Sequence, residues 1–78
     1  MSIIAEQLVR ATLAQLEAQR QESIAIIEVY LANPTGVADH PNLVTDISSA
    51  VKALAEAEDA IGALHRNFIS TEGAANDE

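Results

Sequence analysis

Apolar residues recur along two long segments of the chain at the spacing of one helix face. In the second segment the spacing alternates between four and three residues without interruption, the heptad pattern of helices that pack lengthwise. Its positions are Leu43, Ile47, Ala50, Leu54, Ala57, Ile61, Leu64 and Phe68. The first segment has a looser stripe whose spacing repeats over eleven residues. Its positions are Val9, Leu13, Leu16, Arg20, Ile24, Ile27 and Leu31.

Two prolines mark the boundary between the predicted helices. The residue before a proline is pushed out of the helical region, so Asn33-Pro34 ends the first helix. Proline is tolerated in a first helical turn, so His40-Pro41 opens the second, with Asp39 or His40 as the N-cap and Asp39 the better acceptor. The hairpin then spans 1–69, with a helix over about 3–32, a turn over 33–40 and a helix over about 41–69. The polar segment 70–78 is predicted to be a disordered acidic tail.

The two stripes match each other when the helices run antiparallel. One register pairs Leu31 with Leu43, Ile27 with Ile47, Ile24 with Ala50, Arg20 with Leu54, and Leu13 with Ile61. The predicted fold is therefore all-α, an antiparallel two-helix hairpin with coiled-coil spacing. Arg20 interrupts the stripe. It either pairs with Glu56 or Glu58 as a buried cation, or lays its stem on Leu54 with its head in water, which we favour.

Further apolar residues lie outside the paired stripes. A two-helix unit buries too little surface to be stable alone, so these residues favour self-association over an ordinary exposed surface. The candidate interaction residues are Ile4, Leu8, Ile26, Val29, Val44, Val51 and Ile69, with Ala11, Ala18, Ala55 and Gly62 beside them. We expect a homodimer or higher oligomer built as a four-helix bundle.

Composition excludes several classes of protein. The 78 residues include no cysteine, which rules out disulfides and thiolate metal sites. Four basic residues against twelve acidic ones give a net charge of −8, unsuited to binding nucleic acid directly. The apolar runs are too short for a membrane span, and the chain opens on no secretory signal pattern, so we expect a cytoplasmic protein.

No catalytic, cofactor or metal constellation is recognisable in the sequence. His40 and His65 lack ligand spacing, and they suit a turn and the negative end of a helix dipole. Glu56, Glu58 and Asp59 form an acidic cluster typical of a solvated helix face. Ser48-Ser49 have no nearby base. We expect a protein that is not an enzyme.

The turn uses unusual residues for a helix connection. Two prolines, a glycine, a histidine and the chain's only tyrosine fall at one end of the hairpin. Either the turn is a rigid loop that fixes the hairpin angle, or it contacts a partner through Tyr30, Asn33 and His40. The sequence supports both equally.

The segment from Glu28 to Pro41 resembles the turn of small helical-hairpin proteins of tailed phages, a likeness that covers about residues 8–68. More distantly, the stretch Leu54-Ala55-Glu56-Ala57 is similar to the hairpin domain of phage anti-CBASS and anti-Thoeris sponge proteins. The aromatic residue and asparagine that follow in that family are replaced here by Ala60 and Gly62. The resemblance implies an oligomer in the host cell cytoplasm that acts without chemistry, and for the sponges one that sequesters a cyclic nucleotide signal.

Three functions follow as expectations. The first is a non-enzymatic, oligomeric assembly, adaptor or inhibitory subunit that binds another protein. The second is the anti-defence sponge, in which phosphates would need cations at Arg10, Arg20, Lys52 or Arg66, with His40 as a further candidate. The third is an acidic mimic of nucleic acid, which the charge permits.

Overall fold

A computed structural model of the chain describes residues 2–32 and 42–69. Helix α1 spans Ile3–Ala32 and helix α2 spans Leu43–Leu64, and a π-helical turn, His65–Ile69, continues α2. No strand occurs within these two ranges. The described part is all-helical with two long helices, as predicted. The predicted turn 33–40 and tail 70–78 lie outside the described residues.

Helix α1 begins where a side chain caps it. The hydroxyl of Ser2 accepts a hydrogen bond from the Ala5 amide at 3.0 Å, and the Ser2 carbonyl accepts one from Glu6 at 2.8 Å. These bonds satisfy amides that lack a partner within the helix. The alanine-rich sequence then continues through thirty residues, about 45 Å of helix.

Helix α2 begins later than residue 41, the start that was predicted from the position of the second proline. Its N-cap is Asn42, with φ −118° and ψ 52°, so helical backbone starts only at Leu43 and the predicted caps Asp39 and His40 are wrong. Asn42 caps through its backbone, since its carbonyl accepts the Asp46 amide at 2.9 Å and its side chain makes no capping bond.

The end of the second helix also differs from the prediction of one helix to residue 69. Regular α-helix stops at Leu64, and the next five residues wind as a π-helix. The His65 amide is shared between the carbonyls of Gly62 and Ile61. The wider winding changes the direction of every later side chain, so the heptad spacing no longer holds after His65.

Three side-chain contacts between the helices fix their antiparallel register. Gln19 reaches Ala53, Arg20 reaches Glu58 and Tyr30 reaches Asp46. These partners lie two, four and two residues from the positions that the predicted register gives, which is within about one helical turn. The predicted pairing is therefore correct to about one turn.

The interior of the hairpin is made of small residues. Ala57 is fully buried, Ala50 is 9% exposed and Ser23 is 4% exposed. Because Gln19 lies level with Ala53 in an antiparallel pair, Ser23 lies about level with Ala50. The larger stripe residues from Val9 to Ile27 and from Leu43 to Leu64 are only half-buried, and no large side chain among the described residues is fully buried.

Two predicted stripe residues lie outside the seam. Leu31 is 64% exposed, and its predicted register partner Leu43 is the first residue of α2. Phe68 is 58% exposed, because it follows the change to π winding at His65.

The hairpin is one helix thick. Its extents are 50 × 29 × 16 Å.

Candidate functional site: two exposed apolar stripes

Two neighbouring residues of α1 mark the two edges of the helix–helix seam. Gln19 and Arg20 are consecutive, so their side chains diverge by about 100° around the helix axis. The Gln19 amide Nε2 donates to the Ala53 carbonyl at 3.2 Å, and the Arg20 Nε lies 3.4 Å from Glu58 Oε2. The Gln19 contact lies on one broad face of the hairpin and the Arg20 contact lies on the other. We call these the Gln19 face and the Arg20 face.

Tyr30, a predicted loop contact, lies on the Gln19 face and pairs with α2. It is eleven residues from Gln19, about three turns, and so points the same way. Its hydroxyl donates to Asp46 Oδ2 at 3.4 Å. Desolvation of the phenol, followed by the neighbouring Asp46 charge and this hydrogen bond, raises the pKa of Tyr30 above its ordinary value. The other predicted loop contacts, Asn33 and His40, lie outside the described residues.

Arg20 combines the two arrangements that the sequence left open. Its side chain is 36% exposed, so the cation is not buried. It nevertheless pairs with Glu58 across the hairpin, and Glu17 on its own helix lies 4.0 Å from the guanidinium. A pair this exposed contributes about 0–1 kcal/mol, and it positions the helices more than it stabilises them.

All seven predicted interaction residues are exposed in the single chain. Their exposed fractions range from 36% to 76%, and the members are Ile4, Leu8, Ile26, Val29, Val44, Val51 and Ile69. Ile3, Leu31 and Phe68 are also large, apolar and exposed. Such an amount of uncovered aliphatic surface on a chain of this size is typical of a protein that associates.

The exposed residues of the two helices lie on opposite faces of the hairpin. Ile26 is seven residues from Gln19, two full turns, so it shares the Gln19 face. Val51 is seven residues from Glu58, so it shares the Arg20 face, and Val44 is one heptad before it. The α1 and α2 groups therefore form two separate surfaces, and one flat interface cannot cover both.

The cations considered for an anionic ligand are not gathered into one site. Arg20 is paired with Glu58, and the Arg66 guanidinium lies over Gly62, where an added Cβ would be 3.0 Å from Nη1. Arg10 and Lys52 are exposed on different helices. In the antiparallel register that the three contacts define, these two are ten to sixteen residues apart along the axis, about 15–24 Å.

The acidic and hydroxyl candidates lie on the exposed surface of α2. Glu56 and Asp59 are exposed on α2, as are Ser48 and Ser49. Residues 2–32 and 42–69 contain no group of three or more histidine or acidic side chains placed to hold a metal ion.

Neither helix of the described hairpin is long and apolar enough to cross a membrane.

Sequence reasoning missed two residues of the hairpin. Ser23 ends the polar run from Gln19 to Ser23, yet it is the most buried residue of α1. Ser23 is small and lies level with Ala50. Its small size is the one signal in the sequence that could have indicated a close approach of the helices at this point. Asp46 was also missed, although it is two residues from the predicted partner of Tyr30.

No protein-family model matches the chain, and no curated protein or solved structure matches it either.

Proposed function

We propose that this chain is a non-enzymatic interaction protein that works as an oligomer of its own copies. The observation that carries the proposal is the lack of any fully buried large side chain in the described hairpin, beside ten large apolar residues that are exposed. A helix–helix seam whose large apolar residues are only half-buried needs further burial to be stable.

The uncovered residues can supply that burial. Covering one isoleucine, leucine or valine contributes about 1.5–3 kcal/mol before entropy costs. Ile4, Leu8, Ile26 and Val29 on α1 therefore represent several kcal/mol per copy. This is comparable with the whole stability of a small domain, about 5–15 kcal/mol.

Two separate surfaces suit an adaptor or inhibitory subunit. If one face of the hairpin is covered by another copy, the opposite face is left for a different protein. The exposed apolar residues of α1 and those of α2 lie on opposite faces of the hairpin, so self-association through one group does not obstruct the other. The protein then acts by binding and holding a partner, and it performs no chemistry.

Glutamate substitutions test this function. Ile26→Glu and Val51→Glu place a charge among the exposed large apolar residues of α1 and of α2, while Gln21→Glu makes the same change in charge at an exposed polar position of α1. At least one stripe variant should dissociate and lose helicity at micromolar concentration, while Gln21→Glu should behave as the wild type. The proposal is wrong if Ile26→Glu, Val51→Glu and the double variant all keep the wild-type mass and helicity.

A further inference from the structure

The outer side of α1 carries an unbroken heptad of exposed positions, which we call the outer stripe. Its members are Ile4, Leu8, Ala11, Gln15, Ala18, Glu22, Ala25 and Val29, and every one of them is exposed. They are spaced alternately by four and three residues, the spacing of a helix that packs lengthwise on another helix. The stripe is 26 residues long, about 39 Å of helix with no partner in the single chain.

We propose that the outer stripe is a homodimer interface in which α1 packs antiparallel against α1 of a second copy, around a two-fold axis between Gln15 and Ala18. This inference rests on the proposed function and specifies which face associates, and in which direction. The spacing of the outer stripe is the same when it is read from either end of α1. Two copies of the stripe therefore match each other when they run antiparallel, which makes a second copy of the chain the expected partner. A two-fold interface requires that self-complementarity.

Side-chain sizes fit this register. Ile4 lies opposite Val29 of the partner subunit, so large residues close both ends of the interface. Leu8 lies opposite Ala25 of the partner subunit, with the partner's Ile26 beside it. The polar positions Gln15 and Glu22 face Ala18 and Ala11 of the partner subunit, so no two polar residues of the stripe meet.

Charge also favours the outer stripe over the exposed stripe on α2. In a chain with net charge −8, the outer stripe contains one charged residue, Glu22, and its flanking positions contain one more, Glu28. In the antiparallel register the two copies of Glu22 are eleven residues apart, about 16 Å, beyond the screening length of about 8 Å in physiological salt. Interface centres are depleted of charge in this way. The exposed line on α2 that contains Val44, Val51 and Glu58 has Lys52 and Asp59 beside it, so it carries more charge than the outer stripe.

Packing the outer stripe of α1 against α1 of a second copy gives each α1 a second helix neighbour.

Spin-label distances on the full chain test direction and register together. The chain has no cysteine, so Glu6→Cys or Glu17→Cys gives one label per copy. Both positions are exposed, and they point nearly the same way around α1 because they are eleven residues apart. In the proposed dimer the two labels at position 17 are offset along the axis by about 2 Å, and those at position 6 by about 31 Å. The distance at position 6 should therefore be clearly the longer, whereas a parallel dimer would give equal distances and overturn the proposal.

Substitutions provide a second readout. Leu8→Glu should weaken the dimer by about 100-fold or more, because the contact occurs twice, while Val51→Glu on the opposite face should leave its dissociation constant within about threefold. Ala11→Lys should tighten the dimer relative to Ala14→Lys, since only the former places lysine beside Glu22 of the partner subunit. A dimer broken by Val51→Glu but not by Leu8→Glu would refute this interface and keep the proposed function. A folded monomeric wild type would refute both.

Discussion

Ala57 is the position where the close approach of the two helices can be tested most sharply. Its side chain is fully buried, in a hairpin whose buried residues are otherwise Ala50 and Ser23. Ala57→Leu adds three carbon atoms to a site with no free surface, so either the helices separate or the side chain is strained. Overpacking of this kind costs about 1–3 kcal/mol. A loss of 2 kcal/mol lowers the melting temperature of a domain of this size by about 8–16 °C.

Ala55→Leu is the matched control, because it makes the same change two residues away at an exposed position of the same helix. Leucine and alanine are both good helix formers, so this variant should stay within about 0.5 kcal/mol of the wild type. Thermal melts by far-ultraviolet circular dichroism at one fixed protein concentration measure both variants. Equal melting temperatures for Ala57→Leu and Ala55→Leu would refute the tightly packed small-residue seam.

Three further predictions follow from the described contacts. Gly62→Ala should increase the free energy of unfolding by about 0.5–1 kcal/mol and so raise the urea midpoint, because alanine has the higher helix propensity and the flexible Arg66 side chain can move away from the added methyl group. A lower midpoint would show that the glycine is needed for a close contact. The raised pKa of Tyr30 means that stability is intact below the ordinary tyrosine value of about 10 and falls as pH rises through the raised value. Tyr30→Phe should lack that alkaline loss, and identical pH–stability curves for the two proteins would contradict the assignment. Lowering the pH from 7 to about 5 should tighten the oligomer by reducing its charge of −8, and weaker association at pH 5 would show that specific carboxylate pairs matter more than net charge.

The helices and their pairing could be predicted because they depend on periodicity. Apolar residues at alternating spacings of four and three specify which side of a helix is covered, and two matching stripes specify an antiparallel partner. For this reason Gln19, Arg20 and Tyr30 find their partners within about one turn of the predicted positions.

The details that escaped prediction depend on local geometry that a stripe does not encode. The start of α2 is set by the backbone at Asn42, although proline chemistry pointed two residues earlier. The π-helical turn that begins at His65 moves Phe68 out of the stripe, and no residue type in this segment predicts such a turn. Ser23 is buried because the helices approach closely at small residues, whereas its polarity suggested exposure.

The sequence alone could not show that the exposed apolar residues of the two helices lie on opposite faces, because this follows only from the contacts between the helices. The sequence shows that Ile26 and Val51 lie off the paired stripe. Only the Gln19–Ala53 and Arg20–Glu58 contacts show that they lie on different faces of the hairpin.

The mass of the wild-type protein in solution tests the central claim most directly. Sedimentation equilibrium over a dilution series, with far-ultraviolet circular dichroism on the same samples, reports assembly and helicity together. We predict a species of twice 8.3 kDa at micromolar concentration, with helicity that falls as the dimer dissociates. A species of 8.3 kDa that keeps its full helicity on dilution would show that the hairpin is stable alone and that its exposed stripes are ordinary surface.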